Sequence, residues 1–257
     1  MSETPVVIIG ESGFIGQALK KKLSKMTSQA TYLNRNDLRE LFRKPDAFAI
    51  CLNGAHVFIA IGKMDGNPEE IYYTNFEIVT QIIEICNRNK AEMITLFSTG
   101  GLDFKTEEKI KESPYLHSKW QAELYLADNS ASAYRILRIY FPFGKNQSPN
   151  RFLPKLKKSI LDAQPIKMRS DGGPRLSLTS VNDIAEYSLD STRWMNQKNK
   201  IVSVSSGNNF SIKVLAEMIA ISQNVSSPEI QIDETLEDLI YPATPDFEWS
   251  KLEVKYI

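Results

Sequence analysis

Three groups of residues combine side-chain types and spacings that could do chemistry. The first is Gly10-Glu11-Ser12-Gly13-Phe14-Ile15-Gly16, directly after the apolar run Val6-Val7-Ile8-Ile9. A glycine in the first position permits a tight turn, in the second lets a phosphate approach the backbone, and in the third lets a helix pack close on a strand. The helix that starts there would offer free N–H groups and partial positive charge to a pyrophosphate. The same pattern also serves as a plain strand-to-helix turn with no ligand. The second group is Tyr115-Leu116-His117-Ser118-Lys119. On a helix, positions i and i+4 share a face, so the phenol and the ammonium point the same way. A nearby cation favours phenolate, which makes Tyr115 a usable acid or base toward a carbinol or carbonyl oxygen, while Lys119 can also donate to ribose hydroxyls. The bland alternative is a solvated helix face. The third group is Ser98-Thr99, at the end of the run Met93 to Phe97. A hydroxyl there could hold a substrate oxygen beside Tyr115, or simply close a local turn. Asn75 could support a water relay to Lys119, or be a polar residue on a half-buried helix.

These groups need a scaffold, and the hydropathy pattern supplies one. Strands are expected at Val6 to Ile9, Ala30 to Leu33 (ending at Asn34-Arg35-Asn36-Asp37), His56 to Ile61 (ending at Gly62), Met93 to Phe97 and Tyr134 to Tyr140. Helices are expected at about 16–26, 46–53, 69–89 and 115–129, with Ser113-Pro114 as a start signal for the last. Residues 63–69 and 102–113 read as loops. Strands alternating with helices mean βαβ units and a parallel sheet, whose ligands bind beyond the carboxyl ends of the strands. From residue 145 the texture changes. A basic helix at about 151–162 precedes a short strand at Pro165 to Met168 and a turn at Asp171 to Pro174. Then come Leu176 to Val181, a helix capped by Asp183, a strand at Ile201 to Val204, and a helix capped by Ser211. The tail, 225–257, is poorly periodic and carries Pro228, Pro242 and Pro245. The expected fold is therefore α/β: a Rossmann-like, doubly wound parallel sheet with a smaller C-terminal substrate-binding lobe. Residues 1–144 would form the dinucleotide-binding domain, with sheet elements continuing after 176, and 145–257 mainly the lobe.

Composition excludes several classes. With 31 basic and 31 acidic residues among 257, the net charge is zero, so nothing points to nucleic acid or a polybasic membrane surface. No apolar run reaches the ~18 residues of a membrane helix. The chain enters its first strand almost at once, which leaves no room for a signal peptide. Two cysteines outside any C-x-x-C fit a reducing cytoplasm. Only His56 and His117 are present, which excludes a histidine-rich metal site and disfavours a serine–histidine mechanism.

In order and spacing these motifs resemble the extended short-chain dehydrogenase/reductase family: nucleotide-sugar epimerases, dehydratases and 4-ketoreductases. The resemblance rests on the Gly10/Gly13/Gly16 spacing, Val57 to Gly62, Asn75, Phe97-Ser98-Thr99, Tyr115-x-x-x-Lys119, Arg138 to Gly144, Leu178 to Ala185 and Val204 to Gly207. It implies a catalytic set of Thr99, Tyr115 and Lys119 with Asn75 in support. It implies a cofactor site of Gly10, Gly13, Phe14, Ile15, Gly16, Asn34, Arg35, Ile61, Gly62, Lys119 and Pro142, and substrate contacts from Ser98, Thr99 and Phe141. Arg175 could pair with a diphosphate, or be a turn arginine in solvent. Where the family's dehydratases carry Asp-Glu after the threonine, this chain has Gly100-Gly101, which argues against dehydration. Phe141 stands where many epimerases carry asparagine, which favours reduction of a 4-keto group. An acidic residue at the end of the second strand would select NAD; Arg35 suits the 2′-phosphate of NADP, and Asp37 could cap the following segment instead. The expectation is thus an NAD(P)-dependent reductase of a keto group on a nucleotide-activated sugar, NADP preferred over NAD. An epimerase of the same family is the alternative, and a non-catalytic NAD(P)-binding regulator the second. The resemblance also implies a homodimer through helices 69–89 and 115–129.

Overall fold

A four-residue strand with every side chain buried sets the centre of the fold: β1 (Val6–Ile9). β-Branched residues buried on both faces mark an interior parallel strand. The computed structural model of the chain describes residues 4–26 and 29–238. β1 pairs in parallel with β2 (Ala30–Leu33) on one side and β3 (His56–Ile59) on the other. β3 pairs with β4 (Met93–Thr99), and β4 with β5 (Ala133–Ile139), again in parallel. The strand β10 (Lys200–Val204) completes a six-stranded sheet beside β5. The order 2-1-3-4-5 is a doubly wound order whose switch point lies between β1 and β3, where the crevice for a ligand opens. The expected Rossmann-like fold is found.

The connecting helices follow the apolar periodicity, with differences. α1 (Phe14–Leu23) turns Ala18, Leu19 and Leu23 inward. α2 (Arg35–Arg43) occupies a stretch read from the sequence as strand end and link. Its cause is a capping box: Asn34 Oδ1 accepts from Asn36 N and Asp37 N, and Asp37 Oδ2 accepts from Asn34 N at 2.8 Å. The helix expected at 46–53 is a 3-10 turn (Pro45–Phe48) leading into the single turn α3 (Ala49–Leu52). The long helix expected at 69–89 comes in three pieces: α4 (Pro68–Tyr72), a π turn (Tyr73–Glu77) and α5 (Ile78–Arg88). Part of the loop expected at 102–113 is helical: a 3-10 turn (Gly100–Asp103), then α6 (Glu107–Glu112). α7 (Pro114–Asn129) starts at Ser113, whose hydroxyl accepts from Leu116 N.

The chain divides into two compact units that exchange segments. The first comprises residues 1–139 and 184–203, the second 140–183 and 204–257. The second unit holds β6 (Pro142–Phe143) paired with β9 (Thr179–Ser180), β7 (Ile166–Met168) paired with β12 (Ile230–Ile232), and β8 (Arg175–Ser177) paired with β11 (Asn209–Ser211). Its core includes Leu153, Leu156 and Ile160 of α8 (Phe152–Leu161) and Leu215, Ala216 and Ile219 of α11 (Ile212–Gln223). Ser211 caps α11 as expected. Asp183 does not cap: α9 (Val181–Leu189) has begun by Val181, and Asp183 lies in its first turn. A further short helix, α10 (Ser191–Asn196), lies in the first unit. Pro228 precedes β12, whereas Pro242 and Pro245 lie outside the described residues.

Candidate functional site

At the carboxyl end of β1, Gly10 has φ +88°, a conformation that a side chain would strain. A Cβ on Gly10 would come within 2.9 Å of the Ala60 carbonyl oxygen, beyond β3. A Cβ on Gly16 would lie 2.1 Å from the Gly10 carbonyl oxygen, so α1 can approach the strand only without one. Gly13 sits between them as the N-cap of α1, and it brings no capping side chain. The first turn carries no acidic residue, so its N–H groups and the helix dipole stay available to an anion. The three glycines thus form a cradle that added Cβ atoms would fill, at the switch point, as a dinucleotide pyrophosphate requires. Phe14 and Ile15 open the helix. Asn34 spends its side-chain oxygen on the cap of α2, and Asp37 is committed to the same box; Arg35, the first residue of α2, is exposed.

The next strand end adds Ile61 and Gly62, and here Lys119 arrives from α7. Its Nζ donates to Ile61 O at 3.1 Å and Phe97 O at 3.0 Å. A Cβ on Gly62 would stand 3.4 Å from the same nitrogen. Lys119 is buried, and burial pulls its ammonium down to about 8, opposed by the charge of Glu123. An ammonium has three N–H donors, so one remains after the two carbonyls are served.

Asn75 lies in the π turn, fully buried. Its Oδ1 accepts from Lys63 N at 2.7 Å, and its Nδ2 donates to Lys63 O at 2.7 Å and Ser118 Oγ at 3.1 Å. Ser118 Oγ in turn donates to Tyr115 O at 2.9 Å. Asn75 therefore clamps the segment after β3 to the first turns of α7. Single π turns recur inside helices at functional sites, and this one places that clamp. Sequence reading missed Ser118; its signal was position, since it lies beside Lys119 on the inward face of α7.

Thr99 ends β4, and its Oγ1 accepts from Gly101 N at 3.3 Å, which leaves its own proton to donate. Ser98, its neighbour, is buried, and its hydroxyl has no hydrogen-bond partner among the described residues. Leu116 Cδ2 lies 3.0 Å from where a Cβ on Gly101 would be, so the Gly100-Gly101 turn is closely covered. Tyr115 is half-buried in the first turn of α7, four residues before Lys119. Gly10, Ile61, Gly62, Asn75, Thr99, Tyr115 and Lys119 all belong to the first compact unit, at the strand ends or on the helices that follow them.

Phe141, Pro142 and Arg175 belong to the second unit. Phe141 has φ +26°, unusual for a bulky residue, and its carbonyl accepts from Thr179 N. Pro142 opens β6. Arg175 begins β8, with its guanidinium 3.8 Å from Asp171 and its backbone N–H donating to Asp238 Oδ1. A separate cavity of about 290 Å³ lies at the amino-terminal edge of the sheet, lined by His56, Met93 and Trp194 among others, away from these residues. Among the described residues no cluster of side chains has a metal-ligating composition. None of their helices is long and apolar enough to cross a membrane.

Residues 6–204 match the model of the NAD dependent epimerase/dehydratase family. Solved structures of similar fold include a UDP-N-acetylglucosamine 4-epimerase from Methanobrevibacter ruminantium, in complex with UDP-N-acetylmuramic acid. It is 20% identical with TM-score 0.74, over 95% of this chain and 90% of that one. A UDP-glucose 4-epimerase from Thermus thermophilus, in complex with NAD, is 18% identical with TM-score 0.72, over 93% and 91%. MoeE5, in complex with UDP-glucose and NAD, is 19% identical with TM-score 0.70, over 89% and 85%. Curated protein sequences yield no match. The family match covers the glycine cradle, the strand ends and the Tyr115–Lys119 helix together, and the chain belongs to the NAD dependent epimerase/dehydratase family.

Proposed function

We propose that the chain reduces a keto group at C4 of a nucleotide-activated sugar, with Tyr115 as proton donor and a nicotinamide dinucleotide as partner. The observation that carries this reading is Lys119: a buried ammonium held by Ile61 O and Phe97 O, four residues after a tyrosine on one helix. Gly10, Gly13, Phe14, Ile15 and Gly16 would hold the pyrophosphate. Ile61, Gly62 and Lys119 would hold one ribose, Asn34 and Arg35 the other, and Pro142 the nicotinamide amide. When bound, the dinucleotide supplies the hydride. The remaining N–H of Lys119 serves a ribose hydroxyl while its charge favours tyrosinate; Tyr115 gives its proton to the oxygen of the reduced carbon. Thr99 donates to the same oxygen and, with Ser98, orients it. Phe141 and Arg175 would contact the substrate, and the second unit would be the substrate-binding lobe. Two free cysteines, with burial pushing the Cys86 thiol up to about 12, fit a reducing cytoplasm.

Reduction is favoured over elimination because Gly100-Gly101 offers no acid–base pair after Thr99, and over epimerisation because Phe141 is aromatic. The epimerase reading draws on the UDP-sugar 4-epimerases of similar fold. Incubation with NADPH and a panel of 4-keto-6-deoxy nucleotide sugars separates the readings. Loss of the reduced-nicotinamide absorbance identifies a reductase. Interconversion of UDP-hexoses without net cofactor change identifies an epimerase, and tight cofactor binding without either identifies a regulator. Tyr115→Phe should lower turnover by about a hundredfold or more while cofactor affinity stays; normal turnover in that variant removes Tyr115 from the mechanism.

The exposed Arg35 and the engagement of Asp37 in the α2 cap support NADP. NADPH should therefore bind more tightly than NADH in a fluorescence titration, and the opposite order would overturn the preference.

A further inference from the structure

Behind the proton-transfer residues lies a charge cluster that the proposed mechanism leaves unused. Glu123 sits on α7 four residues after Lys119, and among the described residues it is the one buried acid. Arg138, on β5, grips it with a fork: Nε at 3.1 and 3.2 Å from the two carboxylate oxygens and Nη2 at 2.6 Å from one of them. Nη1 of the same guanidinium donates to Asp103 Oδ1 at 2.7 Å. Asp103 ends the turn that Thr99 caps, and its Oδ2 accepts from Ser203 Oγ at 2.7 Å. Arg138 thus ties α7 to the Thr99 turn within one compact unit. It is also the register partner of Ser98, next to Phe97, whose carbonyl holds Lys119.

A carboxylate one helical turn from an ammonium, both buried, would ordinarily capture it. Here the carboxylate oxygens are occupied by Arg138, and Lys119 donates to carbonyls instead. Among the other charges on the elements around α7, Glu69, Glu77, Arg88, Glu108 and Asp128 are exposed, and several more are engaged elsewhere. Lys63 pairs with Glu70, Lys109 with Glu112, Lys111 with Glu107, all at exposed positions, and Glu84 accepts from Tyr125. Asn75 is neutral, and Tyr115 and His117 lie on α7 itself.

We propose that Glu123, pinned by Arg138 and through it to Asp103, sets the charge state of Lys119, which makes Glu123 and Arg138 positioning residues for the proton transfer. The inference rests on the reading of Lys119 as part of that transfer. Burial disfavours the ammonium and the carboxylate restores it in part; on this proposal the guanidinium forked onto that carboxylate limits how much is restored. Lys119 is thereby held where small changes around it alter its protonation near neutral pH.

The test is an NMR titration of the full chain carrying ¹³Cε-labelled lysine, without substrate or cofactor, with Lys119→Met to assign the resonance. Glu123→Gln, which keeps the shape and removes the charge, should move the Lys119 midpoint down by about one pH unit. Arg138→Lys keeps every charge but cannot keep the fork to two carboxylates. It should free Glu123 toward Lys119 and move the midpoint up. A midpoint unchanged or raised in Glu123→Gln overturns the proposal, and one unchanged or lowered in Arg138→Lys removes Arg138 from it. A purely packing role would lower thermal stability without moving either midpoint. Because the titration needs no turnover, shifted midpoints in a protein inactive on every keto sugar would count against the reductase reading alone.

Discussion

Gly16 shows how much one hydrogen atom decides at the residue scale. The 2.1 Å gap between its would-be Cβ and the Gly10 carbonyl oxygen leaves no room for a methyl group. Gly16→Ala must push α1 off β1, so it should cost about 1–3 kcal/mol of stability and weaken dinucleotide binding. Calorimetry and a cofactor titration check this, and wild-type values in both would show that the close approach is dispensable. The glycine spacing and the Tyr115–Lys119 pair were legible in the sequence because each depends on local geometry alone, a turn in one case and an i,i+4 face in the other. Asn75 was legible as a polar residue on a helix, but not as a clamp on Lys63 and Ser118. The Glu123–Arg138 fork was not legible, since its partners are fifteen residues apart and meet only when α7 lies on β5.

Elements follow their caps. α7 begins where Ser113 accepts from Leu116 N and Pro114 fills the first helical position, which needs no N–H donor. Ser113→Ala should cost about 1 kcal/mol and lower Tm. It should also reduce turnover, because Tyr115 stands in the turn so freed; an unchanged melting curve would mean that packing alone fixes this start. α2 carried a readable start signal as well, Asn34 with Asp37 three residues on. It was obscured because those polar residues also suit a loop at a strand end. The π turn at Tyr73–Glu77 had no signal of its own in an apolar period that runs on through α5. One extra residue per turn there turns Asn75 inward, and only the packing of α4 and α7 reveals it.

On the scale of the whole molecule, the chain crosses between its two compact units after residues 139, 183 and 203. The first unit buries polar groups at the opposite edge from the candidate site. His56 Nε2 lies 2.7 Å from Thr95 Oγ1, which also receives Arg135 Nη2 at 3.4 Å. A guanidinium can only donate, so Thr95 accepts from Arg135 while sharing a second hydrogen bond with the buried His56 ring. Burial first, and the Arg135 charge second, hold the His56 pKa well below its ordinary value. In the unfolded chain the same imidazole takes up a proton near pH 6.5. The unfolded state therefore binds more protons below that pH, and stability falls by about 1.4 kcal/mol per pH unit from there downward, until the folded pKa is reached. Tm should decline more steeply between pH 6.5 and 5 in the wild type than in His56→Phe; parallel curves would refute the assignment. The sequence by itself determined the strand–turn–helix at the N-terminus, the alternation that makes the sheet parallel, and the tyrosine–lysine face, because each follows from neighbours along the chain. Only the tertiary structure decided how segments divide between the two units, which carbonyls hold Lys119, and which cation pins Glu123. Those depend on residues far apart in sequence finding one another once apolar faces are buried, and no local period records such meetings.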